Sequence, residues 1–221
     1  MRARRQTDLF DPPGDLPPAE ELLADGAVLL RGFARPRAET LVQLVDAIAA
    51  AAPFRRMVTP GGHAMSVAMT NAGRVGWVAD RRGYRYDPSD PRTGRPWPPM
   101  PDAFADLAIS AAARAGFPDF APDCCLINRY EPGTRLSPHQ DRDEADFTAP
   151  IVSVSLGLDA VFLFGGLKRT DKPRKVRLEH GDVVVWGGPS RLAFHGIAPV
   201  ADGVHPRLGR CRLNLTFRKA L

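Results

Sequence analysis

Arg212-Leu213-Asn214-Leu215-Thr216-Phe217-Arg218 alternates between polar and apolar residues from end to end. Side chains two apart in an extended strand share a face, so Leu213, Leu215 and Phe217 point one way with Cys211. Arg212, Asn214, Thr216 and Arg218 point the other way, on a single line. Such a polar line is either the solvated side of an edge strand or the wall of a pocket. The preceding sequence favours the pocket. Short runs rich in Val, Ile, Leu and Phe recur at roughly ten-residue spacing, divided by turn residues. They are Cys124 to Tyr130, Pro150 to Gly157, Val161 to Gly165, Arg174 to Leu178, Val183 to Gly187, Leu192 to Ile197 and Arg210 to Arg218. This succession predicts a sandwich or jelly roll, whose interior can hold a ligand. In the first run Leu126, Asn128 and Tyr130 share a side, which adds an amide and a phenol to the same interior.

The chain before this core reads differently. Residues 1 to about 20 are rich in Pro, Asp and Arg and predict an irregular arm. Gly26 to Phe33 reads as a short strand. From Pro36 to Ala52 the apolar residues fall at helical spacing, and Pro53 ends the run. Phe54 to Pro101 is punctuated by glycine and proline and carries Trp77, Trp97, Tyr84 and Tyr86, with one strand over Met65 to Asn71. Aromatics on such loops either stack on bases or fill gaps beneath the loops. A second helix is expected from Asp102 to Ala115, stopped by Gly116. The 221 residues suit one domain, mainly β with flanking helices.

Composition narrows the function. With 44% hydrophobic and 25% charged residues the chain is ordinary for a globular protein. No apolar run approaches the ~20 residues of a membrane span, so no membrane partner is expected. Met1 to Asp8 is basic but has no apolar stretch behind it, so no signal peptide is read and a cytoplasmic location is expected. The three cysteines, at 124, 125 and 211, form no disulfide framework and read as buried fillers. A net charge of +5 suits a partner bearing phosphates.

The chemistry centres on Ser137-Pro-His139-Gln-Asp141-Arg-Asp143-Glu144, which places an imidazole and a carboxylate two residues apart. One ion held by this pair needs a third ligand. Of the five histidines, His195 stands out because it lies in an apolar run, where an unpartnered imidazole is costly. Two histidines and one carboxylate with an open side form the site of non-haem Fe(II) oxygenases, although the same set can hold zinc in a hydrolase. Two inward arginines, two amides and a phenol suit a small dicarboxylate, since guanidinium grips carboxylate bidentately. A dicarboxylate that also chelates iron through a keto acid is 2-oxoglutarate. His180 and His205 read as turn and loop residues, and Trp186 as core.

These residues resemble the AlkB-type Fe(II)/2-oxoglutarate dioxygenases, from about Leu9 to Arg218. Asn128-Arg-Tyr130, His139-Gln-Asp141, His195 and Arg212-Leu-Asn-Leu-Thr-Phe-Arg218 carry the resemblance, with Thr59-Pro-Gly-Gly, Met65 to Asn71 and Phe164 to Arg169 beside them. The resemblance implies a double-stranded β-helix, or jelly roll, over about 120–219, with a nucleotide-recognition lid over about 54–101. It implies Fe(II) held by His139, Asp141 and His195, with O2 as oxidant. It assigns Asn128, Tyr130, Arg212, Asn214 and Arg218 to 2-oxoglutarate. Trp77, Tyr84, Tyr86, Thr59, Met69, Asp143, Glu144 and Arg169 fall to the damaged nucleotide. His63 departs from the tyrosine expected in the lid. The implied reaction is oxidative demethylation of 1-methyladenine and 3-methylcytosine in DNA, single-stranded by expectation, with RNA as a further substrate. Formaldehyde, succinate and CO2 are released, and a monomer is expected. A base in a duplex must be flipped out to react. Carboxylates near a nucleic acid make sense if the base itself is cationic, as these lesions are. Two other readings are a dioxygenase acting on protein and a binder of nucleic acid without catalysis.

Overall fold

The computed structural model describes residues 20–221. The arm read over residues 1 to about 20 lies almost wholly outside them, as does the start of the resemblance. The elements in chain order are β1 (Glu20–Ala24), β2 (Ala27–Leu30), α1 (Ala38–Ala51), β3 (Arg55–Val58), β4 (Ala64–Gly73), β5 (Gly76–Asp80), β6 (Gly83–Asp87) and α2 (Asp102–Arg114). The core follows with β7 (Cys124–Tyr130), β8 (Leu136–His139), β9 (Ile151–Gly157) and β10 (Ala160–Phe164). It ends with β11 (Arg174–Leu178), β12 (Val183–Trp186), β13 (His195–Ile197) and β14 (Arg212–Arg218).

Two sheets make the jelly roll. The large one has the order β1-β2-β12-β9-β14-β7-β4-β3, and the small one β11-β10-β13-β8. The strand with the alternating sequence, β14, runs antiparallel to β9 on one side and β7 on the other. It is no edge strand, so its polar line does face the interior. Its apolar line packs outward with Cys125, Ile127, Val152 and Val154 against Leu41, Val45, Phe104 and Leu107 of the two helices. Phe104 meets Phe217 edge to face at 5.9 Å. Each of these buried side chains contributes about 1.5–3 kcal/mol. Gly116 sits at φ +92°, and Phe117 N–H returns to the Ala112 carbonyl, which closes α2 as expected.

Five strands were not anticipated: β1, β3, β5, β6 and β8. The strand expected over Leu192 to Ile197 shrinks to β13, because Gly188–Ser190 form a helical turn and the chain re-enters the sheet only at His195. Of the 54–101 segment, β3 and β4 extend the large sheet through the β4–β7 pairing, and only the β5–β6 hairpin stands as a separate ribbon. That hairpin is seated by a glycine. A Cβ on Gly76 would lie 2.5 Å from the buried Trp97 ring, so no larger residue lets the ribbon lie this close.

Candidate active site

The register between β13 and β8 sets His195 opposite His139. Gly196 makes the approach possible, since a Cβ there would sit 2.6 Å from the Leu136 carbonyl. The two rings lie with centroids 4.4 Å apart. Asp141, just past β8, reaches both: Oδ1 is 3.6 Å from His139 Nε2 and Oδ2 is 3.7 Å from His195 Nε2. Ligand atoms of the three residues fall within 4.8 Å of one another, a separation one metal ion can span.

Each imidazole is oriented by a local bond. His139 Nδ1 lies 3.0 Å from the Ser137 carbonyl and His195 Nδ1 3.0 Å from the Ala193 carbonyl. With Nδ1–H donating, the Nε2 lone pair points at the shared centre. Burial, with His139 alongside, pushes the His195 imidazole down to about 4, against the pull of Asp141, so it is a neutral ligand at ordinary pH. Burial works the other way on Asp141, but the Arg218 guanidinium and the two imidazoles outweigh it and hold the carboxyl below the usual carboxylate range. The donor set of two imidazoles and one carboxylate suits Fe(II).

The inner face of β14 continues from the triad. Arg212 pairs in register with Tyr130, and its guanidinium lies over that ring at 4.8 Å. Its Nη2 donates to Ser155 Oγ at 3.0 Å, while Nε and Nη1 are buried without a partner among the described residues. Arg218 is engaged differently. Nε and Nη2 grip Asp141 Oδ2 at 3.1 and 2.9 Å, and Nη1 alone is unpartnered among the described residues. Asn128 donates to Asn214 Oδ1 at 3.3 Å, and its own Oδ1 is unmet among the described residues. A buried polar group without a partner costs about 1–3 kcal/mol, and more when charged. Unmet donors on two guanidinium groups beside the triad fit a chelating dicarboxylate.

The triad, Asn128, Tyr130, Arg212, Asn214 and Arg218 line one cavity of about 540 Å³. Thr59, Met69, Trp77, Tyr84 and Asp143 line it too, on the side of the hairpin. Trp77 and Tyr84 stack at 5.6 Å with a 12° angle, and Trp77 Nε1 donates to Asp143 Oδ2 at 2.7 Å. Three residues expected at the substrate are not on its wall. Glu144 is buried, accepting from Tyr86 Oη at 2.5 Å and ion-paired with Arg191 at 3.2 Å and Arg218 at 3.3 Å. Its charge is already neutralised, and Tyr86 is turned away with it, its phenol pushed well up by burial. Arg169 is exposed and lies over the Phe194 ring at 5.8 Å.

Several wall residues were missed by sequence reasoning. Trp186, read as core, is buried, yet its ring is 4.8 Å from His195 and its Nε1 has no partner among the described residues. Arg135 and Arg142 also line the cavity. Their place on either side of the His139–Asp141 pair was the available signal. His180 and His205 stack on each other at 4.5 Å away from the cavity, with His180 Nδ1 accepting from Gly157 N–H at 3.0 Å. Cys124 and Cys125 are buried fillers as expected, Cys124 pushed up to about 12 by burial, whereas Cys211 is only partly buried.

Comparison with known proteins agrees with this geometry. The model of the 2OG-Fe(II) oxygenase superfamily matches residues 26–218. The alpha-ketoglutarate-dependent dioxygenase AlkB of Escherichia coli (strain K12) is 59% identical over 213 residues, covering 96% of this chain and 97% of the relative. A DNA N(6)-methyladenine demethylase of Arabidopsis thaliana, ALKBH1A, is 41% identical over 121 residues, 53% of this chain and 33% of its own. The solved structure of OsALKBH1 superposes with a TM-score of 0.82 at 30% identity, covering 91% of this chain and all of that one. No helix among the described residues is long and apolar enough to cross a membrane. The chain belongs to the 2OG-Fe(II) oxygenase superfamily, as an AlkB-type Fe(II)/2-oxoglutarate-dependent dioxygenase.

Proposed function

We propose that the enzyme oxidatively demethylates N-alkylated bases in DNA, with 1-methyladenine and 3-methylcytosine as substrates, in the cytoplasm and as a monomer. One observation carries this reading: a single cavity of about 540 Å³ is lined by the triad, by the unmet Arg212 guanidinium, and by Trp77, Tyr84 and Asp143. Metal, co-substrate and base would therefore share one enclosure. The sequence likeness to a DNA demethylase agrees with it.

Held by His139, Asp141 and His195, Fe(II) would supply the oxidising chemistry, with O2 and 2-oxoglutarate as its reactants. The chain's own part is to bind and orient. Arg212, with Asn128, Tyr130 and Asn214 beside it, would hold the remote carboxylate of 2-oxoglutarate. The one free nitrogen of Arg218 would meet the carboxylate nearer the metal. Trp77 and His139 would clasp the flipped base. Asp143, kept in place by the Trp77 indole, would put negative charge beside it. That charge favours an alkylated, cationic ring over a neutral one. Arg135 and Arg142 at the wall would take the flanking phosphates.

The test is a single-stranded oligonucleotide with one 3-methylcytosine, given with protein, Fe(II), 2-oxoglutarate, ascorbate and air. Methyl loss is followed by mass spectrometry, succinate is assayed beside it, and His139→Ala is the control. Methyl loss that needs 2-oxoglutarate and vanishes in the control is expected. Succinate release without methyl loss would remove this substrate while leaving the dioxygenase. The same lesion in RNA, run in parallel, ranks the two polymers.

A further inference from the structure

The stretch that carries Asp141 and Asp143 has no regular structure from Gln140 to Pro150. A ligand on such a stretch has no ladder of backbone bonds to fix it, so something else must. That something comes from the other ligand segment. Arg191 lies four residues before His195, is 3% exposed, and spends its guanidinium on this one stretch. Nε donates to the Ala149 carbonyl at 2.9 Å, Nη1 to the Asp141 carbonyl at 3.0 Å, and Nη2 to Glu144 Oε2 at 3.2 Å. Its Cζ lies 5.3 Å from the centre of the Phe147 ring. Next to it, Gln140 Nε2 donates to the Leu192 carbonyl at 2.5 Å.

The contacts close into a ring. Arg191 holds Glu144, Glu144 pairs with Arg218, Arg218 grips the Asp141 carboxylate, and the Asp141 carbonyl returns to Arg191. The ring joins the segment bearing Asp141 to the segment bearing His195. Tyr86 of the hairpin hangs from the same Glu144.

We infer that Arg191 is a positioning residue of the metal centre, setting the place of Asp141 against His195 without touching metal, co-substrate or base. This rests on the reading of the triad as the metal site. Lysine cannot stand in, because one ammonium cannot serve a forked set of three acceptors on separate residues. A purely structural Arg191 would lower stability alone. A positioning Arg191 lowers metal affinity in a protein that is still folded.

The experiment titrates Co(II), a spectroscopic stand-in for Fe(II), into the full chain with 2-oxoglutarate, beside circular dichroism and thermal melting. Arg191→Lys is expected to keep its fold and lose about 10–100-fold in Co(II) affinity, with an altered visible band, as orienting partners of metal ligands do. Asp182→Asn is the stability control. Asp182 holds Arg31, Gly32 N–H and Glu179 N–H at the turn between β11 and β12, and its variant is expected to melt earlier with unchanged Co(II) affinity. A folded Arg191→Lys that binds Co(II) within about twofold of wild type overturns the inference, measured against the 10-fold minimum expected. So does a control that loses affinity in step with its stability. If Arg191→Lys does not fold, Glu144→Gln decides, since it keeps the shape and removes the charge: a several-fold loss supports the inference and an unchanged affinity overturns it. Failure of the wild type to bind Co(II) would instead remove the metal reading itself.

Discussion

The outer and inner faces of the large sheet are made by the same strands under opposite rules. On the outer face, Leu213, Leu215 and Phe217 pack with apolar residues of two helices. On the inner face, one residue along in each case, two guanidinium groups, an amide and a hydroxyl are buried, and several of their atoms have no partner. The first face stabilises the fold. The second is costly to it and useful only to a ligand. A strand can carry both because its side chains alternate, and a slip of one residue would exchange them.

Substitutions can sharpen or break that contrast. The largest expected effect is His139→Ala, which should abolish 2-oxoglutarate-dependent succinate release while leaving the melting curve nearly unmoved. Phe217→Ala on the outer face should cost about 3–5 kcal/mol in chemical denaturation, with activity per folded molecule retained. If instead its activity fell and its stability held, the two faces would not be separable.

Arg212→Met should act in the reverse sense. Removing an unmet buried charge should stabilise the protein without co-substrate by about 1–3 kcal/mol. The KM for 2-oxoglutarate should rise about 10–100-fold, the worth of charged hydrogen bonds to a carboxylate. Destabilisation by this change would mean that the guanidinium is structural. Asp143→Asn should reduce discrimination between methylated and unmethylated base by about tenfold in competition binding, the scale of one charge contact near 1.4 kcal/mol. Smallest is Tyr84→Ala, expected to weaken oligonucleotide binding by about 1 kcal/mol, since it supports the stacking ring of Trp77.

How far sequence carries depended on whether a residue's surroundings are local. The β14 alternation, both helices and the His139–Asp141 pair were legible because period and spacing decide them. β8 was not, since Leu136-Ser-Pro-His139 has no alternation and contains a proline, tolerated there because β8 is the edge of its sheet. Trp186 sits in Val183-Val-Val-Trp186, where nothing local tells the helix side from the cavity side. Glu144 stands beside Asp143 in sequence, yet it is buried against Arg191 and Arg218, partners that only long-range packing brings to it. Arg191 follows a Gly-Gly-Pro-Ser turn, with no periodic pattern around it to mark it as buried. Only long-range packing reveals what it holds.

The position of β14 has a consequence for biosynthesis. It lies in the middle of the large sheet yet comes latest of the described strands in the chain, after both of its neighbours. A ribosome therefore delivers the two flanks first, one ending at β9 and the other at β7, with a slot between them. Until residue 218 has emerged, the nascent chain exposes two unpaired strand edges, the kind of surface that invites pairing with another chain. Arg218 must also arrive before Asp141 has its counter-ion. Closure of the sheet and charge balance at the metal site thus become a single late event.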